Sequence, residues 1–317
     1  MLSTTRGPQE QLTTGKAAAL GAFLLLWSSG AIATAIGVEH MAPTMFLLLR
    51  TLATAACAWL LWLVLRGALP RTGRAWVAVL GTGLFMQVLY QGMFFLSLDA
   101  GIAPGLLALI VACQPLLTAI FARQRGWLAW LGIVLGFAGL ALACSPEFRG
   151  GSSTAAGVLT AVGALVALTV AVLIQSRVTD VGVIPGLALQ ATLAVPVFAL
   201  ACGVLRVPVP EVTVGVVLPV VWMGIVVGVI ATGLLYWLVR SVDVVVVTSV
   251  QFLVPAMTAL LDFLIRGQPL APITLIGMGL VILALFVFDR GRRHHPSAPS
   301  AMQTHQEHQF PTMSPSG

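Results

Sequence analysis

Apolar runs of about twenty residues follow one another along the whole chain, separated by short polar breaks. They cover residues 17–37, 44–65, 75–97, 102–122, 127–145, 155–174, 182–205, 215–238, 243–265 and 270–289. A helix needs about 20 residues to cross ~30 Å of hydrocarbon, so the pattern predicts ten membrane-spanning helices. In lipid every backbone polar group must be satisfied within the segment, which favours helices over open sheets. The breaks carry turn-forming or charged residues, such as Glu39-His40, Arg66 to Arg74, Pro146 to Ser153 and Arg206 to Glu211. None is long enough to hold a soluble domain.

Composition removes the alternative of two soluble domains in 317 residues. Charged residues are 8% of the chain and hydrophobic ones 59%, against about 25% charge in an ordinary soluble domain. The predicted fold class is therefore an all-α membrane protein with the bilayer as its main solvent. Residues 1–16 read as a cytoplasmic leader and 290–317 as a disordered cytoplasmic tail rich in Pro, Ser, Gln and His. The first apolar run could mimic a signal peptide, but the many runs behind it favour a retained span.

A net charge of +6 could suggest nucleic acid as partner. No basic stripe interleaves with aromatics, and most basic residues sit in the short breaks, which suits topology signals. With the N-terminus inside, twelve basic residues fall on the cytoplasmic side: Arg6, Lys16, Arg66, Arg71, Arg74, Arg123, Arg125, Arg177, Arg240, Arg290, Arg292 and Arg293. Three fall outside: Arg149, Arg206 and Arg266. This asymmetry predicts that both termini are cytoplasmic. The excess of Arg over Lys suits a GC-rich bacterial genome, and hence the bacterial inner membrane.

An internal repeat accompanies the ten runs. A shift of 140 residues places Arg50 on Gln190, Arg66 on Arg206 and Pro115 on Pro255. The fifth and tenth runs carry close glycines, Gly136/Gly139 and Gly277/Gly279. Residues 17–146 and 154–289 thus read as one five-helix unit used twice. An odd number of spans per unit inverts the second copy, an arrangement typical of secondary transporters with mid-membrane substrate sites.

Three stretches carry a family resemblance. They are Trp27-Ser28-Ser29-Gly30 running on to Arg50, Gly101-Ile102-Ala103-Pro104 leading to Gln114-Pro115, and Val246-Val247-Thr248-Ser249 leading to Val254-Pro255. In these the chain resembles the drug/metabolite transporter superfamily, in its EamA branch, over about residues 17–289. The resemblance implies a ten-helix basket around a central cavity that moves metabolites by alternating access. It departs from the family where a glutamate often follows the fourth and ninth helices. Those stretches read Arg123-Gln124-Arg125-Gly126 and Arg266-Gly267-Gln268-Pro269. Ala167 stands where a tryptophan of the sixth helix is expected. The substrate is left open by these departures.

Arg50 is the charge that bears most on function. At bilayer depth an arginine must face a partner or a wet cavity. It reads either as an anchor for a substrate carboxylate or gate, or as a structural arginine bonded to helix carbonyls. Asp262, expected in the same leaflet, is a gate partner for Arg50 or an interfacial carboxylate near Arg266. Trp27, Gln87, Tyr90, Gln91, Gln114, Tyr236, Trp237, Thr248 and Gln251 are the candidate cavity residues. Their other reading is interhelical hydrogen bonding. Pro115 and Pro255 are candidate hinges, or packing kinks that expose carbonyls. Gly132/Gly136 and Gly224/Gly228 form G-x-x-x-G pairs, suited to close helix packing and less readily to a homodimer.

These features set the function classes. A secondary transporter exporting small polar metabolites, such as amino acids or related compounds, leads; no cofactor or metal is expected. A membrane-embedded enzyme or a non-transporting scaffold is the alternative. No H-E-x-x-H or G-x-x-x-x-G-K-[ST] motif occurs, and four of the five histidines lie in the tail. The cysteines Cys57, Cys113, Cys144 and Cys202 form no C-x-x-C pair.

Overall fold

The computed structural model describes residues 14–101, 107, 110–121, 126–143, 145, 154–242, 244–266 and 272–294. Among these, all regular structure is helical. In chain order the helices are α1 (Thr14–His40), α2 (Pro43–Leu65), α3 (Gly73–Gly83) and α4 (Gln91–Asp99). They continue with α5 (Gln114–Phe121), α6 (Trp127–Ala143), α7 (Ala155–Gln175), α8 (Val183–Val204) and α9 (Val214–Val221). The last four are α10 (Thr232–Ser241), α11 (Val244–Val250), α12 (Val254–Arg266) and α13 (Pro272–His294).

Local chemistry explains where they begin and end. Pro43 opens α2 behind an extended Ala42, because proline disfavours helical geometry in the residue before it. Thr72 and Thr154 cap α3 and α7 by accepting the amides of Ala75 and Gly157 at 3.2 and 3.0 Å. Arg66 ends α2 in the left-handed region, with φ 50°, its amide bonded to the Trp62 carbonyl.

Among the described residues seven helical rods are long and apolar enough to cross a membrane: Thr14–His40, Pro43–Leu65, Gly73–Ser97, Ala155–Gln175, Val183–Val204, Val214–Ser241 and Val244–Ile265. Trp127–Gly139 and Leu275–Phe288 are shorter apolar stretches. The run expected at 102–122 is described only in part. α13 continues through His294, past the boundary at 290 where a disordered tail was expected; the rest of that tail lies outside the described residues. Large apolar side chains cover the outer faces. Leu60, Val64, Leu159 and Leu200 are 64, 79, 71 and 69% exposed, which suits lipid rather than water.

Two rods that the pattern predicts as plain helices contain a widened, π-helical stretch. One, Leu84–Tyr90, joins α3 to α4; the other, Trp222–Ala231, joins α9 to α10. Such stretches leave carbonyls without their usual partner four residues on. Hydroxyls fill that need in the second. Thr54 donates to the Gly224 carbonyl at 2.8 Å and Thr232 to the Val227 carbonyl at 2.9 Å.

The helices pair as α2 with α8 and α6 with α13, and α4 packs on α7. α1 lies along the rod of α9 and α10 and against α12, while α5 packs on α11. Small residues permit these approaches. A Cβ at Gly132 would stand 2.5 Å from the Phe288 amide nitrogen, and one at Gly224 would stand 2.9 Å from the Arg50 carbonyl. Both G-x-x-x-G helices therefore turn a glycine to another helix of the same chain.

Candidate functional site

Three buried polar groups sit among the apolar helices. The first is built on Arg50. α2 carries it in to 6% exposure, and its backbone is pinned by Thr54, whose hydroxyl bonds the Arg50 and Gly224 carbonyls at 2.9 and 2.8 Å. Its guanidinium donates to Gln91 Oε1 at 3.2 Å and neighbours Tyr90. The acceptor is a neutral amide, and no carboxylate is among its partners in the described residues. The Asp262 side chain lies outside those residues.

The second group is a buried chain of hydrogen bonds across three helices. Tyr236 from α10, fully buried, donates its hydroxyl to Gln190 Oε1 of α8 at 2.6 Å. Gln190 Nε2 donates to Gln175 Oε1 of α7 at 3.3 Å. Gln87, on the first π stretch, also neighbours the Tyr236 hydroxyl. At the end of the same helix Arg240 donates to the Val181 carbonyl at 2.8 Å, and Lys16 to the Ser241 carbonyl at 2.8 Å. Tyr236→Phe removes the donor to Gln190 and leaves a buried acceptor bare. It is expected to lower the stability of the purified protein by about 1–3 kcal/mol, seen as a fall in Tm in detergent.

The third group has no partners among the described residues. Gln114 and Thr118, one turn apart on α5, are fully buried, and both amide atoms of Gln114 and the Thr118 hydroxyl lack a hydrogen bond among the described residues. The same holds for Gln251 Nε2, whose residue is 6% exposed.

The remaining candidates divide. Trp27 stacks at 45° on Phe23, with ring centroids 5.4 Å apart, against the central apolar cluster. Tyr90 packs edge-on against Phe94. Thr248 is buried but bonds back to the Val244 and Val245 carbonyls of its own helix, so its hydroxyl proton is committed. Trp237 is 41% exposed and has no place in the buried cluster that holds Tyr236. Pro115 and Pro255 each stand at the second residue of a helix, α5 and α12. Gln175 and Thr118 are not singled out by the sequence reading, and Gln190 enters it only as the repeat counterpart of Arg50. Their available signal was a lone amide or hydroxyl in an otherwise apolar helix.

Set against known proteins, the chain matches the model of the EamA-like transporter family twice, over residues 15–145 and 155–288. The chain belongs to the EamA-like transporter family. Two relatives of this EamA-like chain are named as uncharacterized transporters. One is the inner membrane transporter YedA of Escherichia coli (strain K12), 27% identical over 288 residues, which are 89% of this chain and 92% of the relative. The other is YvbV of Bacillus subtilis (strain 168), 28% identical over 298 residues, covering 87% and 92%. A crystal structure of a protein 24% identical in sequence shares the fold, with a TM-score of 0.74 over 87% of this chain and 98% of that one. The EamA-like chain is thus a helical membrane transporter of the inner membrane, and a small-molecule substrate and the lipid bilayer are its natural partners.

Proposed function

We propose that this EamA-like chain is a secondary exporter of small polar metabolites bearing a carboxylate, such as amino acids or related compounds. It works by alternating access between two inverted five-helix units, residues 17–146 and 154–289, with ten spans and both termini in the cytoplasm. The observation that carries the reading is Arg50. A buried cation whose described acceptor is a neutral amide calls for an anion, and a substrate carboxylate supplies one. Tyr90, Gln91 and Gln87 continue from Arg50 toward the Tyr236–Gln190 chain, and so line the path. In this reading Asp262 takes the place of the substrate carboxylate on Arg50 when the cavity is empty.

Several observations support the two-unit arrangement. The family matches once in each half. The π stretches at Leu84–Tyr90 and Trp222–Ala231 overlap under the shift of 140 residues. The packing exchanges under the same shift: α1 against the α9–α10 rod corresponds to α7 against the α3–α4 rod.

Two measurements test the proposal. Reporter fusions after Arg71 and Arg293 are expected to signal cytoplasm, and one after Arg149 periplasm; an opposite signal at any site defeats the topology. Counterflow in proteoliposomes tests the activity: labelled amino acid should exchange without chemical change. Chemical conversion would favour a membrane-embedded enzyme, and absence of both exchange and conversion a scaffold.

A further inference from the structure

Two helical ladders are interrupted inside the bundle, at places related by 140 residues. Before α5 the ladder turns at Ala112–Cys113, where the Cys113 amide bonds three residues back, to the Ile110 carbonyl at 3.1 Å. Before α12 a tighter 3₁₀ turn, Gln251–Leu253, separates it from α11, and the Val254 amide bonds the Gln251 carbonyl. The cause is the same in both. Pro115 and Pro255 lack an N–H, and their rings clash with the carbonyl four residues earlier, that of Val111 or Gln251. The two breaks lie near each other: Ala112 of the first and Leu253 of the second pack in one apolar cluster, and α5 rests on α11.

The breaks differ in how their polar groups are used. At the second, α1 is clasped from both directions. Ser28 donates its hydroxyl to the Val254 carbonyl and Thr258 donates to the Ser28 carbonyl, each at 3.3 Å. Thr118 stands 140 residues before Thr258, yet among the described residues its buried hydroxyl has no partner, and neither has either end of the Gln114 amide. α7 offers Leu168 where α1 has Ser28, so that clasp has no counterpart there. Gln251 brings one more unpartnered amide nitrogen to this region. Buried polar atoms without partners are rare, and each asks for an occupant. The atoms left over are donors in excess, two amide nitrogens and a hydroxyl, with one acceptor oxygen. Neither α5 nor α11 carries a charged side chain, so the two helices that bring these atoms in favour an uncharged occupant.

We propose that Gln114 and Thr118 at the first break, with Gln251 at the second, form a subsite for an uncharged group that both accepts and donates hydrogen bonds, a carboxamide being the best fit. This rests on the transport reading, in which Arg50 holds the substrate's carboxylate, and adds the group that the other end of the substrate must carry. Interrupted helices free backbone groups at mid-membrane, and a polar ligand can satisfy them. A pocket made to hydrogen-bond a substrate group also rejects an analogue lacking it, because its own polar atoms are then left bare.

The test uses three probes of like length, L-glutamine, L-methionine and L-glutamate, with the full-length protein. Uptake into proteoliposomes is measured as flux per inserted protein, and binding as a rise in Tm in detergent. Wild type should favour glutamine over both others by about tenfold or more. Gln114→Leu, matched in size, should bring the glutamine-to-methionine ratio close to one while methionine flux persists. Thr118→Val, closer still in shape, should lower the same ratio and guards against loss of folded Gln114→Leu. Equal flux of glutamine and methionine in wild type, or an unchanged ratio in both variants, overturns the subsite and leaves transport standing. A higher Tm of Gln114→Leu with an unchanged ratio would mean that the bare atoms hold water alone, and also overturns it. A Tm gain with glutamine that Gln114→Leu abolishes, without flux of any probe, keeps the subsite and defeats the transport reading. No response to any probe in either measurement overturns the assignment.

Discussion

Arg50→Gln is expected to lower flux by about thirtyfold or more while the protein stays folded in the membrane. The buried guanidinium is the group proposed to receive a carboxylate, and losing one partner of a buried charge pair costs about 2–5 kcal/mol. About 1.4 kcal/mol is a factor of ten. Glutamine keeps a donor and much of the length, and the α2 backbone stays pinned through Thr54, which bonds the Arg50 carbonyl rather than the side chain. Folding should therefore survive. Arg50→Lys should also be impaired, since a point charge cannot present the planar fork of the guanidinium. Flux per inserted protein is the measurement. Near-normal flux in Arg50→Gln would reduce Arg50 to a structural residue, and disappearance of the protein from the membrane would point the same way.

Gly132→Leu is expected to be the most damaging single change to folding. The α6–α13 contact is the most extensive between any two helices, and at Gly132 it is made backbone to side-chain base. A Cβ there would meet the Phe288 amide nitrogen and Cα at 2.5 and 2.7 Å, neither of which can turn aside. Overpacking a yielding site costs about 1–3 kcal/mol; here the helices must separate, so about 3 kcal/mol or more is expected. Size-exclusion chromatography of detergent extracts should show loss of the monodisperse peak. Gly279→Leu is the control, since nothing lies within 4 Å of a Cβ at that position. An unchanged profile for Gly132→Leu would mean that α6 and α13 do not approach as closely as described.

The rods were legible because an apolar run of fixed length has one stable form in lipid. The starts at Pro43, Thr72 and Thr154 follow from proline and capping chemistry, which the apolar pattern by itself does not mark. Arg50 and Gln114 stood out as polar residues in apolar runs, and both prove buried. What joined them was not legible. The Tyr236–Gln190–Gln175 chain links three helices, and no local pattern says which amide meets which hydroxyl. Thr248 and Gln251 look alike as polar residues of one run, yet one is bonded to its own helix and the other is bare. Trp237 adjoins Tyr236 in sequence but is 41% exposed where Tyr236 is buried, a consequence of the ~100° step between helical neighbours. Asp262 marks a different limit, since its partner depends on a side chain outside the described residues. The π stretches left no compositional mark either, because valine, leucine and glycine fill both ladders equally well.

Each π stretch also changes the phase of its rod. One extra residue per widened turn rotates everything beyond it by about 100° relative to a helix of constant pitch. The buried stripe along the first rod runs Ala75, Val79, Thr82, Met86, Tyr90 and then jumps five residues to Phe95. Along the other it runs Val216, Pro219, Met223 and then broadens, with Val227, Gly228, Val229, Ala231 and Thr232 all buried. A wheel of fixed pitch would set Phe95 apart from the packed face it occupies and would narrow the face that Val227 to Thr232 share. These two rods thus have a spare residue built into their thread. A one-residue deletion inside either stretch can be absorbed by narrowing that turn. In the uninterrupted α2 the same deletion would turn half of its packed face, Arg50 or Ala58 included, toward lipid.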